Sequence, residues 1–153
     1  MPHHPTSSSD PFDLLVTNVA ALRAAGKLST RSLAREAHIS RSSVLNLENG
    51  HAKLSLHLLD KLARALDVKT GSLLGKRPVP RDEADGLIEV VLAHNLVAAR
   101  KRLKLTQEQL SERSGIHRGV IAHIERRARN PSLQTLAKLA GALDLSIEGL
   151  LTK

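Results

Sequence analysis

The sequence predicts an all-α protein assembled from two copies of one small unit. Three observations carry this reading. Apolar residues recur every three or four positions in short blocks, and no stretch alternates as a half-buried strand would. A shift of 77 positions lays residues 14–74 on 91–151 without a gap. The 153 residues allow one ordinary domain or two small ones, and no large multi-domain enzyme.

The self-match is dense where packing and capping demand it. Identical pairs include Asn18/Asn95, Arg23/Arg100, Lys27/Lys104, Leu33/Leu110, Ile39/Ile116, Arg41/Arg118, Glu48/Glu125, Leu62/Leu139 and Asp67/Asp144. Chance identities would scatter, whereas these fall mostly on apolar and capping positions. The expected division is a disordered tail over 1–9, a first unit over 10–74, a linker over 75–81 and a second unit over 82–153.

The elements follow in order. Asp10-Pro11 supplies a cap and an N1 proline for the first helix. The linker carries two prolines and alternating charge, so it is expected to be exposed, and Asp82-Glu83 to cap the helix behind it. That helix shows Leu92, Leu96, Ala99 and Leu103 on one face. Thr106 caps a second helix over 107–113 with Leu110 inward, and Ser114-Gly115 breaks it after two turns. A third helix over 117–126 buries Val120, Ile121 and Ile124. Asn130-Pro131-Ser132 leads into a fourth over 133–143, and Ser146 opens a last short helix. Two short helices joined by a sharp glycine corner, the second amphipathic with polar and basic residues outward, describe a helix-turn-helix.

Composition narrows the function. The absence of cysteine removes disulfides, thiolate zinc sites and cysteine nucleophiles together. A single aromatic, Phe12, offers no platform for stacking unpaired bases. A net charge of +8 asks for a polyanionic partner, duplex nucleic acid before an anionic membrane surface. No apolar run approaches the roughly 18 residues of a membrane span, and the first nine residues lack signal-peptide character. Eight histidines show no metal-ligand spacing, and the serines of the tail lack the context of a hydrolase nucleophile. Neither enzyme activity nor a cofactor is expected.

At this point the sequence resembles a known family. The string Leu105-Thr106-Gln107-Glu108-Gln109-Leu110, then Ser114-Gly115-Ile116, Val120-Ile121, Ile124-Glu125, Pro131-Ser132-Leu133 and Leu136 to Ala140, is similar to the phage-repressor/Cro-like (XRE-type) helix-turn-helix family. The first copy carries the same frame in Leu28-Ser29-Thr30, Leu33-Ala34, Ile39-Ser40, Val44, Leu47-Glu48-Asn49-Gly50 and Leu62-Ala63. The resemblance implies two tandem five-helix lambda-repressor-like domains. It also implies a cytoplasmic regulator of bacterial or phage origin that binds double-stranded DNA.

Carried over position by position, the resemblance implies base reading by His117, Arg118, Gly119 and His123 in the second copy and by Ser40, Arg41, Ser42 and Asn46 in the first. An arginine can donate two hydrogen bonds to guanine O6 and N7, and an asparagine can pair with adenine. Phosphates are expected at the start of the second helix, on Thr106 and Gln107 and their counterparts Ser29 and Thr30. Beyond the reading helix the second copy adds Arg126, Arg127 and Arg129, against His51 and Lys53 in the first. His38 replaces the corner glycine that Gly115 keeps, and Arg127 the helix-ending glycine that Gly50 keeps. A non-glycine residue in left-handed geometry costs on the order of 1 kcal/mol. Glu48 and Glu125 are expected to pair with Arg23 and Arg100.

The favoured function is a sequence-specific transcriptional regulator, in the first instance a repressor. It would act as a homodimer or as an intramolecular pseudo-dimer. Two alternatives stand beside it. One is an antitoxin or phage-type regulator that also binds a partner protein, which predicts an exposed apolar patch on the first unit or on its N-terminal helix around Phe12, Leu14 and Leu15. The other is a protein-binding antiactivator that has lost DNA reading.

Overall fold

A computed structural model describes residues 10–50 and 53–153. The expected tail and His51 lie outside the described residues. The first unit contains α1 (Pro11–Ala25), α2 (Thr30–Glu36), α3 (Arg41–Glu48), α4 (Leu56–Ala65) and a 3-10 segment, η1 (Thr70–Leu74). The second repeats the order with α5 (Ile88–Arg102), α6 (Gln107–Ser114), α7 (Arg118–Glu125), α8 (Leu133–Ala142) and α9 (Ile147–Leu150). Among the described residues the only extended pairing is two isolated bridges, so the class is all-α.

Most helices begin where a short polar side chain accepts from the free N–H groups of the first turn. Asp10, Ser29, Ser40, Ser55, Thr106, Ser132 and Ser146 all do so. Several turns use left-handed residues in matched pairs: Lys27 and Lys104 (φ 54° and 56°), His38 and Gly115 (56° and 73°), Gly50 and Arg127 (75° and 61°), Asp67 and Asp144 (56° and 58°). The backbone thus demands the same bend in both copies, whether or not a glycine is there to make it cheaply.

The amphipathic faces meet in one continuous apolar cluster that runs through both units, with Leu15, Leu33, Leu59 and Leu62 on one side and Leu96, Leu110, Ile121 and Leu139 on the other. A polar staple recurs in each copy. The Asn18 amide donates to the carbonyls of Leu73 and Gly75 (both 2.9 Å), and Asn95 to those of Leu150 and Thr152 (2.9 and 2.7 Å). Each ties the first helix of its unit to the last turn.

The two units pair about a local two-fold axis. Leu56 N–H donates to the Pro131 carbonyl (2.9 Å), and Leu133 N–H donates to the Leu54 carbonyl (2.8 Å). Residues 54 and 56 are the counterparts of 131 and 133, so each copy gives the other the bond it receives. Ser55 and Ser132, also counterparts, face each other across this bridge. The matched segments η1 and α9 pack together as well. Gly71 permits that approach: a Cβ there would lie 2.8 Å from Thr152 Oγ1 and 3.0 Å from the Glu148 carbonyl.

The connector departs from expectation. Residues 76–80 are largely exposed, yet the segment folds back on the first unit. Lys69 N–H donates to the Val79 carbonyl (2.7 Å), Val79 N–H to Ser72 Oγ (2.9 Å) and Arg81 N–H to the Asp67 carbonyl (3.1 Å). The Lys69 ammonium lies 3.0 Å from Asp82 and 3.4 Å from Asp85. Asp82 and Asp85 also close a turn, with Ala84 N–H donating to Asp82 and Asp82 N–H to Asp85. Their carboxylates are therefore engaged, and α5 begins at Ile88 behind Leu87, which offers no capping side chain. Of the apolar residues expected at the surface of α1, Leu15 is fully buried, and Phe12 and Leu14 are half-buried, Phe12 packing on the core.

Candidate nucleic-acid interface

In each unit a short helix and a tight corner present a second short helix to solvent. Leu33, Ala34, Val44 and Leu47 bury the inner faces of α2 and α3, and Leu110, Ile121 and Ile124 those of α6 and α7. A charged clamp fixes the outer helix in both copies. Arg23 Nε donates to Glu48 Oε1 (2.7 Å) while its Nη1 donates to the Leu28 carbonyl (3.0 Å). Arg100 Nε donates to Glu125 Oε1 (2.7 Å), its Nη2 to Oε2 (3.3 Å) and its Nη1 to the Leu105 carbonyl (2.8 Å). One guanidinium thus joins the first helix, the loop before the second and the last residue of the third. The clamp is drier in the second unit, where the paired side chains are 14% and 9% exposed against 25% and 20% in the first. Gln107 adds a bond to it, donating from Nε2 to Glu125 Oε2 (2.8 Å).

The outward face of α3 carries Arg41, Ser42 and Asn46, and that of α7 carries Arg118 and His123, all exposed. Arg118 makes only a loose pair with Glu108 (3.9 Å), in which both side chains are 63% exposed. Ser40 and His117 are differently engaged, because both cap their helices. Ser40 Oγ accepts from Ser43 N–H (3.1 Å), and His117 Nδ1 accepts from Gly119 N–H (3.0 Å). This explains Gly119: a Cβ there would stand 3.1 Å from His117 Nδ1, so the glycine makes room for the capping ring. Leu45, 37% exposed, shares the outer face with Arg41 and Ser42, from which it is four and three residues removed. The spacing carries that signal, since Leu45 is out of register with buried Val44 and Leu47.

Of the phosphate candidates, Lys53, Arg126, Arg127 and Arg129 are exposed. Ser29 and Thr106 cap α2 and α6, and Thr106 and Gln109 form a reciprocal capping box (3.0 and 2.9 Å). The half-buried Gln107 sends its amide inward to Glu125, and Thr30 is half-buried too. What remains outward is a face of arginine, small polar groups and one leucine, flanked by cations that are denser in the second unit. Such a surface donates hydrogen bonds to an anionic, grooved partner. Among the described residues no group of three or more histidines and carboxylates is placed to hold a metal ion, and no helix is long and apolar enough to cross a membrane.

Comparison with known proteins adds the following. Residues 19–73 and 96–150 each match the family model described as helix-turn-helix. A stretch of 66 residues is 47% identical to control protein C.SmaI of Serratia marcescens, taking in 43% of this chain and 79% of that protein. A stretch of 61 residues is 41% identical to the immunity repressor protein of Bacillus phage phi105, taking in 40% of this chain and 42% of the repressor. Less than half of that repressor's length is therefore matched. A crystal structure of a hypothetical transcription factor, NHTF, from Neisseria is 32% identical over 47% of this chain and 80% of that one, with a TM-score of 0.42.

Proposed function

The chain belongs to the helix-turn-helix family, which it matches twice, and on that premise we propose that a single chain binds double-stranded DNA sequence-specifically as a cytoplasmic transcriptional repressor. The units over 10–74 and 82–153 are the two reading heads, joined by 75–81. Each head inserts its third helix into the major groove, which is about 12 Å wide. Arg41 and Arg118 each donate to a guanine, while Asn46 and His123 meet the next bases. Phosphates are held by the N-terminal turns of α2 and α6 and by Lys53, Arg126, Arg127 and Arg129.

The observation that carries this reading is the reciprocal pairing of residues 54–56 with 131–133. Regulators of this kind read half-sites one helical turn apart, about 34 Å, through a two-fold arrangement of two heads. Here both heads lie in one chain, so one chain is the complete reading unit. Repression follows from occupancy of the groove, and no catalytic step enters.

The test is selection of bound duplexes from a random library, followed by anisotropy titration of the selected site. Arg41→Ala and Arg118→Ala are each expected to weaken binding by about 1–3 kcal/mol and to blur one half of the motif. Affinity should fall steeply between 50 and 200 mM salt. A failure to recover any motif at low salt would exclude DNA reading.

A further inference from the structure

The two reading helices occupy equivalent places but present different surfaces. From this we infer that the operator is directional: its two half-sites share a guanine read by the matched arginines and differ beside it, with Leu45 reading a thymine methyl in one half only. The inference rests on the DNA reading proposed above. Arg41 and Arg118 stand at the same register, one residue inside the caps Ser40 and His117. Around them the faces diverge. The first unit offers Ser42, Leu45 and Asn46, and the second offers Gly119, Ala122 and His123.

Leu45 is the residue whose placement this explains. Three large apolar side chains are exposed among the described residues, namely Leu45, Val79 and Leu87. Val79 lies on the stretch between the units and Leu87 just ahead of α5, whereas Leu45 stands on a helix whose other outward groups are all polar. Its neighbours Val44 and Leu47 supply the inner face of the helix. A branched apolar side chain at the mouth of the major groove matches the one apolar feature a base pair shows there, the thymine C5-methyl. Asn46, the next residue, has the geometry for adenine N6 and N7. Ala122 is too short to fill the same space, and His123 replaces the amide. A symmetric site therefore satisfies at most one head, and the chain lies on its site in one orientation.

The experiment selects duplexes with the full-length wild type and with two exchanged variants. In the first, Ser40→His, Ser42→Gly, Leu45→Ala and Asn46→His give α3 the face of α7. In the second, His117→Ser, Gly119→Ser, Ala122→Leu and His123→Asn give α7 the face of α3, and the paired change at 117 and 119 keeps the cap from clashing. The wild type is expected to select an asymmetric motif, and each variant a palindrome, one palindrome for each head. Of the exchanged positions only Gly119 and Ala122 are half-buried and the rest are exposed, and should one variant not fold, the other still decides. Separately, deoxyuridine replaces the thymine assigned to Leu45. Losing the methyl should weaken wild-type binding about fourfold and leave Leu45→Ala unaffected.

A palindromic wild-type motif, or an asymmetric one unchanged by both exchanges, would overturn the directional site while leaving DNA reading intact. Equal sensitivity of wild type and Leu45→Ala to deoxyuridine would overturn the role of Leu45. Absence of any motif would instead remove the reading on which the inference stands.

Discussion

Glu48 and Glu125 each anchor the third helix of their unit through an arginine, Arg23 or Arg100. Their partners were legible because the duplication repeats them: Arg23 recurs as Arg100 at the same distance from a repeated glutamate. Side-chain direction was not legible. Nothing in the order of residues tells that Gln107 turns inward to Glu125, or that Ser40 and His117 spend their polar atoms on capping. Arg100→Ala is expected to cost about 2–3 kcal/mol, because it strands a nearly buried carboxylate. Arg23→Ala should cost less, since its clamp is wetter and has no glutamine. Urea unfolding measures both, and equal costs would show that neither burial nor Gln107 matters. The left-handed residues supply a second prediction. His38→Gly and Arg127→Gly should each stabilise by about 1 kcal/mol, by relieving a positive φ that a Cβ resists. On the proposed function Arg127→Gly should also weaken DNA binding, so that stability and affinity move in opposite directions in one variant.

At the scale of elements, helix starts were readable at the caps Asp10, Thr106, Ser132 and Ser146, and the sharp corner of the second unit at Gly115. The start of α5 was not, because Asp82 has the chemistry of a cap but is committed elsewhere. Its carboxyl is held below the ordinary 3.8 chiefly by the hydrogen bond from Lys69, and Lys69 is raised above 10.5 chiefly by the same bond. The signs define the window. The Asp82 contribution is complete above the ordinary carboxylate value and is lost as pH falls through the lowered one. The Lys69 contribution is complete below the ordinary ammonium value and is lost as pH rises through the raised one. The clip therefore holds throughout the neutral range. In Lys69→Met the Asp82 midpoint, followed by carboxyl NMR, should rise toward its ordinary value, and trypsin should cut after exposed Lys76 faster. An unmoved midpoint would show that the ion pair does not form in solution.

At the scale of the whole molecule, the repeat was visible by sliding the sequence on itself, and the fold of each copy came with it. The pairing of the copies was not visible. It runs through backbone bonds at 54–56 and 131–133, which carry no side-chain code, and through a glycine at 71 whose use depends on what approaches it. Units of about 65 residues bury too little surface to be more than marginally stable alone, whereas the apolar cluster here runs through both. Unfolding should accordingly be a single cooperative transition. Gly71→Leu forces a side chain against Thr152 and Glu148, and is expected to cost about 1–3 kcal/mol and to split the calorimetric peak. A single peak at an unchanged midpoint would mean that η1 and α9 do not hold the units together.

The peptide running from η1 to α5 has one more consequence, and it concerns abundance. Two separate small domains meet as often as their numbers allow, so their pairing fades on dilution. Here each copy faces the other at an effective concentration set by a short tether, which reaches the millimolar range even for a flexible linker. Pairing therefore does not depend on how many chains are present. Any partner that needs both copies is occupied in proportion to the first power of chain concentration, along a simple hyperbola. A dimer that must first assemble answers with a threshold, while this molecule begins to answer with its first copy.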